Sequence, residues 1–211
     1  LVDLAARAAG TTAAPDWLAP GIACDLMVPD GADLAAIRRA LTGTSVDANL
    51  IPAASRRKRL LIADMDSTIV TTETLDEMAA YAGLQEVIAA ITKRSMNGEI
   101  DFPTALRERV NMLKGLAVGA LRKTLDATEL TPGAKTLVQT MRKGGAYTAL
   151  VSGGFTVFTG PISAAIGFDE HRSNVLIAQD GILIGEVADP ILGKQAKLDS
   201  LVELRARFGL A

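Results

Sequence analysis

The chain has 211 residues, 49% of them hydrophobic and 22% charged, with a formal net charge of -2 at pH 7. This length suffices to bury a full core, and the composition excludes a disordered chain. A net charge near zero gives no reason to expect nucleic acid or a membrane surface as a partner. The single cysteine, Cys24, cannot form an internal disulfide, and no stretch approaches the roughly 18 consecutive apolar residues of a membrane span. We therefore expect a cytoplasmic protein.

The first 57 residues predict a small β-α-β module. Residues 24–28 favour a strand, after an Ala-rich helical start and a loop. A helix over residues 33–41, which Asp33 can cap, and a second strand over residues 46–51 follow. We expect residues 1–57 to form a separate domain.

The pattern then changes to that of a parallel α/β core. Residues 60–63 and 146–151 are continuous apolar strands, as expected where helices cover both faces of a sheet. The segment between them is helical throughout. We predict a core made of residues 58–71 and 129–211, with a helical cap of residues 72–128 inserted after the first core strand.

Cap and turn signals predict the remaining elements. Thr74 and Glu77 form a capping-box pattern at the start of a helix that runs through Tyr81. Thr131 is placed to cap the helix before the second core strand. The other predicted elements are helices over residues 84–96, 102–114, 118–127, 155–166 and 194–208, and a hairpin of strands 174–178 and 182–187.

An acidic motif, D-M-D-S-T at residues 64–68, directly follows the first core strand. A D-x-D at the carboxyl end of a buried strand can bind a divalent cation and can offer one carboxylate as a nucleophile. Asp is also a common turn former, which is the alternative for either carboxylate. The motif points to phosphoryl transfer.

A second polar segment, S-G-G at residues 152–154, follows the other core strand. Glycines after a strand expose backbone N–H groups, and a serine hydroxyl adds a donor, so this segment can hold phosphate oxygens. Turns use Ser and Gly for conformational reasons as well. Because parallel sheets assemble ligand sites at the carboxyl ends of their strands, we expect both segments to share one site.

These motifs resemble those of the phosphoserine phosphatases of the haloacid dehalogenase-like superfamily. The resemblance runs from about Arg59 to the C-terminus and implies a Rossmann-like parallel sheet with an all-helical cap. Residues 1–57 more weakly resemble a partial ACT-like regulatory domain. The motifs that carry the main resemblance are Asp64-Met-Asp-Ser-Thr68, Glu73, Met96-Asn-Gly-Glu-Ile-Asp-Phe102, Arg109-Val110, Val151-Ser-Gly-Gly-Phe155 and the helix that holds Lys197.

The resemblance implies a role for each polar residue at the reacting phosphate. Asp64 would be the nucleophile and a ligand of Mg²⁺. Asp66 would act as general acid and then as general base, with its carbonyl on Mg²⁺. Ser152, the Gly153 N–H and Lys197 would hold the phosphoryl oxygens. Lys194 is the competing choice, and the resemblance favours Lys197. Without the resemblance Lys197 would not be singled out, because a lone lysine on a helix is usually solvated.

The resemblance places substrate selection in the cap. Arg109 would pair with the substrate carboxylate and Glu73 would accept from its ammonium group. The alternative for Arg109 is an ordinary exposed helix residue. Met96 and Phe102 would form an apolar wall that excludes water, although a core role suits both almost as well.

A third metal carboxylate is implied by the resemblance but has no counterpart within residues 1–211. It would lie in a Gly-Asp-Gly-x-Asn-Asp turn, after a strand that pairs with residues 60–63. The sequence stops at Ala211, before such a turn. We expect either that a longer polypeptide carries this segment or that another chain supplies the strand, and we expect weak or no activity from residues 1–211 alone.

The leading functional hypothesis is a phosphatase that hydrolyses O-phospho-L-serine in the last step of serine biosynthesis. A phosphatase or phosphotransferase on another small phosphorylated amino acid, such as phosphohomoserine, is an enzyme alternative. A non-catalytic serine sensor that binds through the N-terminal module is an alternative from a different class. A homodimer is a reasonable expectation, because partial ACT-like modules often pair with a second copy.

Overall fold

The computed structural model describes residues 1–210, apart from the side chains of Ser55 and Met96. The chain divides into two compact units, Leu1–Arg57 and Lys58–Ala211. The two units have different architectures. The first is a small helix and hairpin unit, and the second holds the parallel sheet.

The N-terminal unit is not the predicted β-α-β module. Its two short strands are consecutive and pair antiparallel, and the predicted strand over residues 46–51 is not formed in the described chain. The helix predicted after Asp33 is confirmed, because Asp33 Oδ1 accepts from the Ala35 N–H at 2.8 Å. The elements are α1 (Val2–Ala8), β1 (Asp16–Ala19), β2 (Ala23–Asp25) and α2 (Leu34–Ala40).

Hydrogen bonds to a helix side chain replace strand pairing in the segment over residues 46–51. The Arg38 Nε donates to the Ala48 carbonyl at 3.0 Å, and its Nη2 donates to Asn49 Oδ1 at 2.9 Å. Leu50 and Ile51 remain exposed, so the apolar pattern that suggested a strand does not correspond to a buried face. A backbone carbonyl satisfied by a side chain has less need of a strand partner.

The larger unit contains a parallel three-stranded sheet in the order β3-β4-β5 (Leu60–Ala63, Tyr147–Phe155, Glu170–Asn174). The central strand β4 is buried from Thr148 to Ser152, since elements cover both of its faces. Strand β5 was not predicted, because its sequence is polar. Its polar side chains are satisfied by partners, as when Arg172 contacts Glu203 and Ser173 Oγ lies 2.7 Å from Thr159 Oγ1.

The predicted α/β core with a helical cap inserted after its first strand is confirmed. Two predicted caps are wrong: Thr74 is the first residue of its helix rather than the cap, and helix α7 begins after a turn in which the Ala134 N–H donates to the Thr131 carbonyl. The cap helices are α3 (Thr74–Tyr81), α4 (Gln85–Met96), α5 (Phe102–Met112) and α6 (Val118–Ala127). The remaining elements are α7 (Ala134–Lys143), α8 (Thr156–Ile166), α9 (Lys194–Arg207) and the antiparallel strands β6 (Leu176–Gln179) and β7 (Ile182–Val187).

The cap is joined to the core both by apolar packing and by backbone hydrogen bonds. One buried cluster contains cap side chains such as Met78 and Leu106 together with core side chains such as Phe155. The Gly115 N–H donates to the Leu183 carbonyl on β7, at 2.9 Å. Among the helices of residues 1–210, none is long and apolar enough to span a bilayer.

Helix α9 packs on the sheet through a fully buried leucine, and this contact predicts a stability difference. Leu204 is completely buried and clusters with Ala149 and Val151 of β4, whereas Leu198 on the same helix is 52% exposed. We expect Leu204→Ala to lower the free energy of unfolding by about 2–5 kcal/mol, because it removes buried methyl groups and leaves a cavity. Leu198→Ala is the matched control and should change it by less than about 0.5 kcal/mol. Urea titration of both variants measures the difference, and equal losses would contradict the packing described here.

Candidate active site

A cavity of about 300 Å³ opens where β3 and β4 end, between the sheet and the cap. Its lining includes every site residue predicted from the sequence except Met96, whose side chain lies outside the described part of the chain. The lining residues are Asp64, Asp66, Glu73, Thr74, Leu75, Phe102, Leu106, Arg109, Ser152, Gly153, Gly154, Phe155, Gly193, Lys194 and Lys197. The turn after β3, strand β4 and helices α3, α5 and α9 therefore converge on one site.

The turn after β3 is organised by Met65. The Met65 carbonyl accepts hydrogen bonds from the N–H groups of Ile69 at 2.9 Å and Val70 at 3.0 Å, and its side chain is fully buried. Ser67 adopts a left-handed conformation with φ of 51°, which is uncommon for a residue with a Cβ. This tight turn holds the carboxylates on either side of Met65 at the mouth of the cavity.

Asp66 links the turn to the first helix of the cap. Its Oδ1 accepts from the Thr74 N–H at 2.9 Å, so a carboxylate from outside the helix satisfies one of the donors that α3 leaves unpaired at its start. Burial raises the pKa of Asp66 to about 6, with the charges of Glu73 and Asp64 acting in the same direction and the Thr74 N–H opposing them. The side chain therefore changes protonation state near neutral pH.

Asp64 is paired with a lysine from the last helix. Lys197 Nζ contacts Asp64 Oδ2, and the Met65 N–H donates to the other carboxylate oxygen at 2.9 Å. Helix α9 begins at Lys194, which places Lys197 one turn into the helix. Lys194 lines the same cavity, but Lys197 is the one that contacts Asp64.

The S-G-G segment continues β4 rather than forming a turn after it, which corrects the prediction. Strand β4 extends to Phe155, and its pairing with β5 is irregular between Val151 and Phe155. Ser152 Oγ accepts from the Gly154 N–H at 2.9 Å, which leaves the hydroxyl proton available to a ligand. A Cβ on Gly154 would lie 2.9 Å from Asp66 Oδ2, so only glycine allows β4 to run this close to the carboxylate.

Phe102, the first residue of α5, contacts two glycines from different segments. A Cβ on Gly153 would lie 3.0 Å from Phe102 Cζ, and one on Gly193 would lie 2.9 Å from Phe102 Cδ1. The start of α5 is fixed by Asp101, whose Oδ1 accepts from the Thr104 N–H at 2.7 Å. The ring therefore forms an apolar wall against the segment expected to bind phosphate.

Glu73 and Arg109 lie on the cap side of the cavity. Ser67 Oγ donates to Glu73 Oε1 at 2.6 Å, which ties this carboxylate to the turn after β3. Arg109 donates to the Ala105 carbonyl at 3.2 Å and to Thr92 Oγ1 at 3.4 Å, both neutral groups. Burial lowers the pKa of the Arg109 guanidinium, and Asp76 and Glu73 oppose this shift. A half-buried cation bonded to neutral groups is suited to pair with an anionic ligand.

Sequence reasoning missed Asn174, at the end of β5. This buried amide bonds to Gly153 of β4 and to Leu192, just before α9. A lone Asn in a polar segment carries no signal of such a role. Thr74 was noted only as a cap, although its N–H holds Asp66.

The donor set around the D-x-D turn suits a hard divalent cation, because carboxylate and carbonyl oxygens are the preferred ligands of Mg²⁺. Within residues 1–210 no group of three His, Cys, Asp or Glu side chains is placed to hold a metal ion. An ion at this turn would therefore need ligands besides the carboxylates present. Phosphate, water and backbone carbonyls can supply such oxygen ligands.

Comparison with known proteins identifies the family. The family model of the haloacid dehalogenase-like hydrolases matches residues 61–211. The chain belongs to the haloacid dehalogenase-like hydrolase family. It is 36% identical over 155 residues to the phosphoserine phosphatase of Methanocaldococcus jannaschii, a match that covers 74% of each protein. It is also 40% identical over 170 residues to a probable phosphoserine phosphatase of Schizosaccharomyces pombe, covering 79% of this chain.

A solved structure supports the same fold. The fold superimposes on that of a substrate-bound phosphoserine phosphatase complex with a TM-score of 0.68 and 35% identity, covering 74% of each chain. The chain spans about half the length of several curated relatives, including 57% of the Schizosaccharomyces pombe protein.

The raised pKa of Asp66 predicts that this residue destabilises the metal-free fold above pH 6. A carboxyl whose pKa rises from 3.8 to about 6 on folding favours the fold only while protonated. Ionisation of Asp66 therefore does not change the free energy of unfolding below pH 3.8 and lowers it by up to ~3 kcal/mol above pH 6. Asp66→Asn keeps an acceptor for the Thr74 N–H, so we expect it to unfold at a higher temperature than the wild type at pH 8, with the difference shrinking as the pH falls.

Thermal unfolding in the presence of a chelator measures this effect. Asp126→Asn is the matched control, because Asp126 is exposed on α6 and pairs only with Arg122 one turn away among the described residues. A stabilisation by Asp66→Asn that is the same at pH 4 and pH 8 would contradict the assignment.

Proposed function

We propose that this site belongs to an Mg²⁺-dependent phosphatase that hydrolyses O-phospho-L-serine to L-serine and phosphate, a step that completes serine biosynthesis. The observation that carries the proposal is that one cavity is lined by two sets of groups. Asp64, Asp66 and Lys197 suit a phosphoryl group, and Glu73 and Arg109 from the cap side suit an amino acid. The similarity to relatives named phosphoserine phosphatase supports the same reading.

The proposed reaction has two steps that use the two carboxylates in turn. An Asp64 oxygen attacks phosphorus in line, the bond from phosphorus to the serine oxygen breaks, and Asp66 donates a proton to the leaving oxygen. Asp66 then removes a proton from a water molecule that attacks the aspartyl-phosphate. The phosphorus bond to Asp64 breaks, and phosphate leaves.

Charge compensation in this reaction would come from one face of the site. Lys197, the hydroxyl of Ser152 and the Gly153 N–H, all from residues that line the cavity, would bind the equatorial phosphoryl oxygens. Mg²⁺, held by Asp64 and the Asp66 carbonyl, would neutralise part of the charge on the phosphoryl group. Lys197 would then divide its contacts between Asp64 and the phosphate.

Recognition of the amino acid would depend on the cap. The Arg109 guanidinium can pair with the substrate carboxylate, and Glu73 can accept from the substrate ammonium. The α-carboxylate and the α-ammonium are common to all α-amino acids. A phosphatase or phosphotransferase on another small phosphorylated amino acid, such as phosphohomoserine, is therefore the second candidate. The cytoplasmic location and the homodimer remain predictions from the sequence.

Phosphate release tests the proposal directly. The full natural polypeptide that carries residues 1–211 should release phosphate from O-phospho-L-serine in the presence of Mg²⁺ and should stop doing so with a chelator. We expect Asp64→Asn to lower kcat by more than about 1,000-fold, because the nucleophile is lost. Asp126→Asn is the control and should retain full activity, since this residue is exposed on α6 and is not among the residues that line the cavity.

Two other results would redirect the assignment. Turnover of phosphohomoserine in preference to phosphoserine would favour the second candidate. Binding of serine by both the wild type and Asp64→Asn, with no turnover of any phosphomonoester, would favour a serine sensor and reject the phosphatase.

Substitution of Arg109 tests whether this residue binds the substrate carboxylate. We expect Arg109→Leu to raise KM for phosphoserine at least about tenfold, because a charge-assisted bidentate contact is lost. KM for phosphoethanolamine, which lacks the carboxylate, should change less than about twofold. Arg122→Leu, an exposed cap substitution, is the control. Equal changes in KM for both substrates would show that Arg109 does not read the carboxylate.

A further inference from the structure

Asn174 is a buried amide with three hydrogen bonds to two separate segments of backbone. Its Nδ2 donates to the Gly153 carbonyl at 2.8 Å and to the Leu192 carbonyl at 3.1 Å. Its Oδ1 accepts from the Leu192 N–H at 2.7 Å. The side chain is 1% exposed. Both amide protons are therefore used, and water does not compete for them.

The two segments joined by Asn174 carry the groups expected to bind phosphate. Gly153 lies between Ser152 and Gly154 on β4. Leu192 is followed by Gly193, after which α9 begins and Lys197 lies one turn along. Asn174 therefore connects the backbone donors of β4 to the start of the helix that supplies the ammonium group.

The cap holds the same two segments from another direction. The Phe102 ring lies against both Gly153 and Gly193, so closely that a Cβ at either position would come within 3.0 Å of the ring. The ring packs against both segments, but it forms no hydrogen bond and so does not fix the distance between them. The amide of Asn174 is the polar group that bridges them.

We propose that Asn174 is a positioning residue for the phosphoryl group. It holds Gly153 and the start of α9 at the separation at which Ser152, the Gly153 N–H and Lys197 can bind one phosphate together. Two carbonyls and one N–H require a side chain with two donors and one acceptor, which Asn supplies and neither Asp nor Leu does. This inference rests on the proposed function for its choice of ligand, but it can fail or succeed separately.

Binding of inorganic phosphate and of L-serine tests the inference. Asn174→Asp keeps the size of the side chain but loses both donors and turns an oxygen toward the Gly153 carbonyl. Calorimetry on the full natural polypeptide with Mg²⁺ should show Kd for inorganic phosphate raised about tenfold or more. Kd for L-serine should change less than about twofold, because Glu73 and Arg109 make no hydrogen bond to Asn174 among the described contacts.

Two further variants separate positioning from stability. Ser173→Ala is the matched control: Ser173 precedes Asn174 on β5 and is also buried, but its hydroxyl lies 2.7 Å from Thr159 Oγ1, away from the site. It should lower the unfolding temperature without changing Kd for phosphate. Asn174→Leu removes the amide without adding charge, and it should weaken phosphate binding in the same direction if Asn174→Asp does not fold.

Measured phosphate and serine affinities decide between a positioning role and a purely structural one. Phosphate affinity within twofold of wild type in a folded Asn174 variant would overturn the inference and leave Asn174 as a stability residue. Equal loss of phosphate and serine binding would overturn it too, since that indicates general disruption. If the wild type neither binds L-serine nor turns over phosphoserine, yet Asn174→Asp weakens phosphate binding tenfold, the proposed substrate fails and the positioning role stands.

Discussion

The candidate site depends on one close approach, between β4 and the carboxylate of Asp66. Gly154 lies where a Cβ would come within 2.9 Å of Asp66 Oδ2 and 3.2 Å of Ser152 Oγ. Any side chain at this position would push the strand away from the turn after β3. The carboxylates of the turn and the hydroxyl and N–H donors of β4 share one cavity because this approach is allowed. The parallel pairing of β3 with β4 brings the two segments to the same edge of the sheet.

Asp66 also joins the chemistry to the cap. Its carboxylate accepts from the first N–H of α3, so one hydrogen bond joins a cap helix to the proposed catalytic carboxylate. Burial then raises the pKa of that carboxyl to about 6. A group with such a pKa can give up and take back a proton at neutral pH, as the two proposed steps require. The same property costs folding stability, which is a common compromise at functional sites.

Local sequence patterns were sufficient to predict the elements whose structure depends on residues close together in the chain. The cap helices follow from apolar periodicity, and the D-x-D turn follows from its place after an apolar strand. The same reasoning failed where partners distant in sequence decide the structure. Residues 46–51 have an apolar pattern but bond to Arg38, and β5 is polar because Arg172 and Ser173 find partners on other elements. Asn174 was missed for this reason, since its role exists only once Gly153 and Leu192 are neighbours in space.

Helix α5 places both Phe102 and Arg109 in the lining of the cavity. Its first residue, Phe102, rests against Gly153 and Gly193, and the chain just after its end is bonded to β7 through Gly115. The helix is therefore held at both ends. Arg109 lies seven residues after Phe102, which corresponds to a rise of ~10 Å along the helix. A carboxylate that pairs with Arg109 and a phosphate that meets Gly153 must suit this fixed separation. Selection among phosphorylated amino acids would then depend on the length of the link between phosphate and α-carbon, because Glu73 and Arg109 in their proposed roles would contact only groups that all of them share.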